Sequence, residues 1–171
     1  MIINGSEVKE KLLKGIDIVA NTVKPTLGPQ AKTVILQGNP PVVINDGVTI
    51  TKYISDEDPY VQMGIQLVQN LASKAQEGSG DRTTTACILA QALCHNMLDA
   101  PEMNVHQFNN RIESLKLLTI QFLDKEAQEV DDGDITNIAT IAANNDSHLG
   151  SLIAEAIDKV GRDGIITVEE S

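Results

Sequence analysis

Tryptophan is missing from this 171-residue chain, and its aromatic side chains are Tyr53, Tyr60, Phe108 and Phe122 alone. Single-stranded nucleic acid is held on stacked aromatic faces, so so few of them exclude a base-stacking platform. Positive charge is scarce as well: 13 Lys and Arg against 24 Asp and Glu leave a net charge of −11. Such a surface repels phosphate backbones and anionic lipid at long range, which argues against nucleic-acid and membrane partners. It does not exclude a nucleotide, because a local nest of backbone N–H groups overrules a global field. Cysteine is limited to Cys87 and Cys94. On a helix they stand roughly 10 Å apart along the axis, beyond disulfide reach, and they read as buried thiols of a reducing compartment. No apolar run approaches membrane-spanning length, and Met1-Ile2-Ile3-Asn4-Gly5 lacks the basic and apolar regions of a signal peptide, so the expected location is cytoplasmic.

What the chain does contain is helical periodicity. Hydrophobic residues make up 42% and charged residues 22%, the proportions of a globular domain rather than a disordered one. Val8, Leu12, Ile16, Val19, Ala20 and Val23 recur at three- and four-residue steps, one face of a helix that opens near Asn4 and Ser6, with Glu7 at capping-box spacing, and ends at Pro25. Thr26-Leu27-Gly28-Pro29 follows as a loop. Thr33–Leu36 and Val42–Ile44 flank Gly38-Asn39-Pro40-Pro41 and predict a hairpin. Asn45-Asp46-Gly47 reads as a tight turn leading into Val48-Thr49-Ile50.

Pro59, a favoured first-turn residue, opens a second helix to about Gln76, carrying Val61, Ile65, Val68, Leu71, Ala72 and Ala75 on one face. The stretch from Glu77 to Arg82 breaks it, and Thr83–Met97 is a third helix. A fourth, from Val105 to about Val130, has Phe108, Ile112, Leu115, Leu118 and Phe122 on one side. Asp131-Asp132-Gly133-Asp134 reads as a domain junction. Beyond it come a short helix through Ile135 and Ile138 and another capped by Asp146, with the apolar stripe Leu149, Leu152, Ile153, Ala156, Ile157 and Val160. Gly161 or Gly164 stops that helix, and Ile165-Ile166-Thr167-Val168 reads as a strand. The predicted fold is therefore mostly α, with a small β-hairpin and a C-terminal strand. A terminal apolar strand without a neighbour in sequence either pairs with something distant or belongs to a longer chain.

Chemistry is concentrated in Gly78-Ser79-Gly80-Asp81-Arg82-Thr83-Thr84-Thr85, which opens a helix. A helix N-terminus presents orphan N–H donors and partial positive charge, both suited to phosphate. Glycines admit close backbone approach, three hydroxyls offer hydrogen bonds, and Asp81 is a candidate magnesium ligand, since that ion takes one or two carboxylates plus phosphates and water. The same residues also describe an ordinary capped helix after a Gly-Ser-Gly linker. No Walker or Rossmann pattern is present. Two further turns, Thr26-Leu27-Gly28-Pro29 and Asp46-Gly47-Val48, combine Gly, Thr and Asp in the same way. Each alone is a common turn, whereas three together read as walls of one anionic-ligand pocket. His95, His106 and His148 lack metal-ligand spacing, and Asp131–Asp134 lacks the alternation of a calcium loop.

Taken in order, Thr26-Leu27-Gly28-Pro29, Asn45-Asp46-Gly47-Val48, Gly80-Asp81-x-Thr83-Thr84-Thr85-Ala86 and the segment Leu152–Gly161 with Gly164–Glu169 resemble the GroEL-type (group I) chaperonins over the whole chain. The similarity is to the N-terminal part of that family's much longer subunit. It implies a multi-helical equatorial-domain fold in residues 1–130, the ATP-binding domain's N-terminal half, and the start of the intermediate, hinge-like domain in 131–171. The apical domain and the C-terminal equatorial half would lie outside this chain, so that apolar faces of its helices would be left exposed.

On matching positions the resemblance implies that Thr26, Leu27, Gly28 and Pro29 line ATP or ADP. Asp81 binds Mg2+, and Thr83, Thr84 and Thr85 hold phosphates, with Arg82 beside them. Gly47 touches the phosphates, and Asp46 is the catalytic residue that positions or activates the attacking water. It further implies an ATPase that drives refolding of unfolded client proteins within a homo-oligomeric, heptameric ring, with a co-chaperonin reached through regions outside this chain. Part of the catalytic apparatus, including a second carboxylate, would also lie outside it. Three positions depart from the family pattern: Arg82 stands where glycine is usual, Gln30-Ala31 where Lys-Gly is usual, and Asn45 where lysine is usual. If the backbone at Arg82 demands positive φ, that residue is strained by roughly 1–2 kcal/mol. Arg82, Gln30 and the second carboxylate outside this chain support the alternative of a truncated or divergent assembly module with weak or absent ATPase activity. A small phosphotransferase is the remoter alternative, without a recognisable base or acceptor pocket.

Overall fold

The computed structural model describes residues 5–28, 31–38, 40–98, 104–161 and 163–167. Among them it shows seven α-helices and one two-stranded sheet, in the order α1 (Ser6–Val23), a 3-10 turn (Lys24–Thr26), β1 (Val34–Leu36), β2 (Val42–Ile44), α2 (Gly47–Tyr53), α3 (Pro59–Ser79), α4 (Thr83–Leu98), α5 (Val105–Glu126), α6 (Asp132–Ala142) and α7 (Ser147–Val160). Two compact units result, Met1–Met103 and Asn104–Ser171.

The first unit is built on the predicted stripes. Ile16, Val19, Ala20 and Val23 of α1, Val61, Ile65, Val68 and Ala72 of α3, Ile50 of α2, Cys87 of α4 and Leu36 of β1 are its buried apolar residues. Helices α1 and α3 cross at two glycines. A Cβ on Gly15 would overlap the Val61 carbonyl oxygen, and one on Gly64 would overlap the Leu12 carbonyl oxygen. Glycine here permits close backbone approach rather than unusual dihedrals. At its start α1 is capped by Gly5, with φ 71° and no side-chain cap bond. Ser6 is thus the first helical residue rather than a cap, and Asn4 lies outside the described residues.

The hairpin forms as expected, pairing Val34 with Ile44, Ile35 with Val43 and Leu36 with Val42 in antiparallel register. Alternation puts Leu36 in the core and leaves the Ile35–Val43 pair 72% and 64% exposed on the opposite face. The turn expected at Asn45-Asp46-Gly47 is instead the start of α2: Asp46 is its N-cap, accepting from the amides of Val48 and Thr49. Val48, Thr49, Ile50 and Thr51 are β-branched and argue locally for extended chain. Burial of Ile50 and Thr51 against the neighbouring helices overrides that preference. Helix α3 opens at Pro59 behind an Asp58 cap and continues past Gln76 to Ser79, where Gly80 in the left-handed conformation closes it.

In the second unit α5 has no buried residue among those described. Its predicted apolar side is open, with Leu115, Leu118 and Phe122 each about 60% exposed. The acidic run after it opens a helix, Asp131 capping α6 through the Asp134 amide. Helices α6 and α7 pack at Gly150, whose Cβ would fall 2.7 Å from the Thr140 Cα. Asp146 caps α7 through the amides of His148 and Leu149, and Gly161 ends it. The C-terminal strand is corrected: Ile165, Ile166 and Thr167 form no strand, and Ile165 is 93% exposed. Extended chain becomes a strand only by pairing, and no described segment supplies a ladder there. Val168 lies outside the described residues.

Candidate functional site

Three segments far apart in sequence meet at Thr84. The 3-10 turn after α1 carries Thr26, whose hydroxyl donates to the Val23 carbonyl at 2.8 Å and stands 3.2 Å from the Thr84 hydroxyl. From the other side comes Gly47, the first residue of α2. A Cβ there would lie 2.6 Å from the Thr84 hydroxyl oxygen and 3.6 Å from the Thr83 Cβ. Thr26, Gly47, Thr83 and Thr84 are therefore gathered in one place. Leu27 is half exposed, Gly28 sits at φ 90°, and Pro29, Gln30 and Asn39 lie outside the described residues.

The loop between α3 and α4 turns back on itself through two left-handed residues, Gly80 and Arg82, both at φ 70°. Glycine takes that conformation freely; for Arg82 it costs about 1–2 kcal/mol, so the strain anticipated at this position is present. The Ser79 hydroxyl ties the loop, its single proton within reach of the carbonyls of Ala75 at 2.8 Å and Asp81 at 2.9 Å. The Arg82 carbonyl accepts the first bond of α4, from the Ala86 amide. The amides of Thr83, Thr84 and Thr85 thus stand at a helix start, where no intrahelical acceptor exists. Thr83 is buried, its hydroxyl 3.5 Å from the Gln76 side-chain oxygen, while Thr84 and Thr85 are half-buried. The exposed carboxylate of Asp81 has no hydrogen-bond or ion-pair partner among the described residues.

Asp46 is held differently. Its carboxylate accepts from the Thr49 hydroxyl at 2.5 Å, the Thr49 amide at 2.8 Å and the Val48 amide at 3.4 Å. Burial pushes its pKa up, but those three bonds and the charge of Lys52 outweigh burial and hold it below the ordinary 3.8. It is ionised at neutral pH. Thr49, absent from the sequence-derived site, fixes this carboxylate; the Asp-x-x-Thr spacing of a helix cap was its signal. Among the described residues no three His, Cys, Asp or Glu form a cluster able to hold a metal ion. A magnesium ion here fits only as one carried by phosphates and water with a single carboxylate such as Asp81, its usual mode with nucleotides.

The profile of the TCP-1/cpn60 chaperonin family matches residues 19–170. The chain belongs to this family. It is 41% identical over 99% of its length to a chaperonin GroEL from Aster yellows witches'-broom phytoplasma (strain AYWB), of which it spans 32%. Among solved structures, the chaperonin gp146 from bacteriophage EL 2 (Pseudomonas aeruginosa), crystallised in the presence of ATP-BeFx, superimposes with a TM-score of 0.82 in two crystal forms. That similarity covers 96% of this chain and 30% of the phage protein at 26% identity. The chaperonin-family chain thus spans about a third of the length of these relatives. No helix among its described residues is long and apolar enough to cross a membrane.

Proposed function

We propose that this chain binds magnesium-ATP at the Thr84 junction and serves as the nucleotide-binding part of a protein-folding chaperonin subunit. The observation that carries the reading is the convergence of Thr26, Gly47 and Thr84 from three separate turns. Family membership and the ATP-BeFx crystals of the phage relative add support. In this reading residues 1–130 are half of the equatorial domain and 131–171 begin the intermediate domain.

Thr26, Leu27, Gly28 and Pro29 line the nucleotide. The α4 amides and the hydroxyls of Thr83, Thr84 and Thr85 hold phosphate oxygens, and Gly47, lacking a side chain, leaves room beside them. Asp81 binds the magnesium ion, which when present neutralises phosphate charge. Asp46, ionised and oriented by Thr49, positions the attacking water, and Arg82 places a positive charge near the phosphates. ADP occupies the same site after hydrolysis. The complete subunit works in a homo-oligomeric, heptameric ring in the cytoplasm, on unfolded clients and with a co-chaperonin.

Calorimetry with magnesium-ATP tests this. The wild-type chain gives saturable heat and Asp81→Ala gives none; the absence of binding by both proteins overturns the reading. An Asp46→Ala chain that binds but no longer hydrolyses separates holding from chemistry, whereas unchanged hydrolysis removes Asp46 from the mechanism. The second reading, an assembly module with weak or absent ATPase activity, draws on the strained Arg82 and on the open apolar residues of α5. Self-association without nucleotide binding would favour it.

A further inference from the structure

Outside the site, a side-chain network among the described residues runs along the rim of the α1–α4 contact, and Gln91 is its centre. Asp17, Asn21 and Lys24 succeed one another along one face of α1 and the turn that follows it; Gln91 and His95 stand one helical turn apart on α4. The Gln91 side-chain amide donates to the Asp17 carboxylate at 2.6 Å and to the Asn21 side-chain oxygen at 3.2 Å. Its carbonyl oxygen lies 3.5 Å from the Lys24 ammonium. A ring nitrogen of His95 meets the same Asp17 oxygen at 2.7 Å. Both amide hydrogens of Gln91 are therefore committed, to two different residues of α1.

The network has a directional consequence. The buried residues of these two helices include Val19, Ala20 and Val23 on α1 and Cys87 on α4, small side chains whose non-directional apolar burial does not by itself fix an axial position. Hydrogen bonds do, because they weaken steeply when stretched or bent. Lys24 is two residues from Thr26, and Gln91 lies two turns along α4 from Thr84. Whatever sets Gln91 against Asp17, Asn21 and Lys24 also sets the Thr26 hydroxyl against the Thr84 hydroxyl. We propose that Gln91 is a positioning residue for the nucleotide site: its side-chain amide fixes the register of α1 on α4 and so holds Thr26 against Thr84. The inference rests on the proposed nucleotide reading for its functional meaning, but its structural half is measurable without nucleotide.

A double-mutant cycle on the unfolding equilibrium tests that half. Gln91→Leu and Thr84→Val are expected to couple, the double variant's unfolding constant falling short of the product of the single effects by about threefold or more. Independent effects overturn the proposal. Calorimetry with magnesium-ATP tests the other half. Gln91→Leu is expected to lower affinity about fivefold or more at a temperature where the variant is fully folded, and wild-type affinity in that variant overturns the proposal. Gln91→Glu opposes two carboxylates and lowers affinity likewise; adding Asp17→Asn returns a donor–acceptor pair of reversed polarity and restores it, which a loss of packing alone would not do. A wild-type chain that binds no magnesium-ATP defeats the nucleotide reading, whereas a binding wild type with an uncoupled Gln91 defeats only the positioning role.

Discussion

Gly47 and Thr84 stand so close that a side chain on the first would meet the hydroxyl oxygen of the second at 2.6 Å. That hydroxyl also faces Thr26, so Gly47→Ala displaces it from both neighbours. Alanine gains about 1 kcal/mol of helix propensity at this position, set against an overpacking cost of about 1–3 kcal/mol. The expected outcome is a modest net loss of stability and a fall of about tenfold in magnesium-ATP affinity. Thermal unfolding and calorimetry read the two effects, and unchanged affinity would detach Gly47 from the site.

The glycines at the α1–α3 crossing behave differently, because their neighbours are backbone atoms. Gly15→Ala drives its methyl into the Val61 carbonyl, and no rotamer relieves that overlap. A loss of about 3 kcal/mol or more is expected in denaturant unfolding. Gly78, inside α3 with nothing within 4 Å of a Cβ, is the control. There Gly78→Ala adds roughly 0.5–1 kcal/mol.

Arg82 holds its left-handed conformation at φ 70° without the freedom of glycine. Arg82→Gly releases about 1–2 kcal/mol of strain and loses part of it to the larger unfolded-state entropy of glycine, for a net gain of about 1 kcal/mol. Arg82→Ala keeps the Cβ and changes stability by less than about 0.5 kcal/mol. Equal stabilisation by both would show that the side chain rather than the backbone carries the cost.

Acid should find the Asp46 cap. Its folded pKa is depressed below 3.8, so the unfolded chain binds the proton more readily and stability falls as pH drops. The contribution is complete above about pH 4 and disappears as pH passes below the folded value. Asp46→Asn, still a competent cap, is expected to be less stable than wild type by under about 1 kcal/mol at pH 7. The difference narrows towards pH 3. Denaturant titrations at the two pH values decide it, a constant gap removing the linkage.

Thiol reactivity follows burial. Cys87 is enclosed in the core and its thiol is pushed up to about 11 by desolvation. Cys94 is raised too, by partial burial first and the nearby Asp17 charge second. Neither is in a disulfide. Alkylation at pH 8 followed by mass spectrometry should label Cys94 first and Cys87 only on unfolding; labelling of both at equal rates in the folded chain would contradict the buried placement.

The helices were legible because each carried a period and a boundary signal. Val61, Ile65, Val68 and Ala72 marked the buried face of α3, Pro59 its start, and Asp146 the start of α7. Legibility failed where one signal stood without its partner. The β-branched run after Asp46 argued for extended chain, and only tertiary burial of Ile50 and Thr51 makes it a helix. Ile165–Thr167 has strand composition but no ladder among the described residues. The open Leu115, Leu118 and Phe122 of α5, by contrast, agree with the expectation that apolar helix faces of this chain would be left exposed. Within the site, the residue types in each turn were readable, whereas the meeting of Thr26 with Thr84 is a product of helix packing that no local pattern contains.

The glycine crossing of α1 and α3 has a mechanical corollary. Where Gly15 faces Gly64, the two backbones touch without intervening side chains. A slide along the axis would force one helical turn to ride over the other, while a swivel about the point of contact meets far less resistance. A pull on Thr26, in the turn just beyond the C-terminal end of α1, is therefore transmitted as leverage about that fulcrum rather than as a piston stroke.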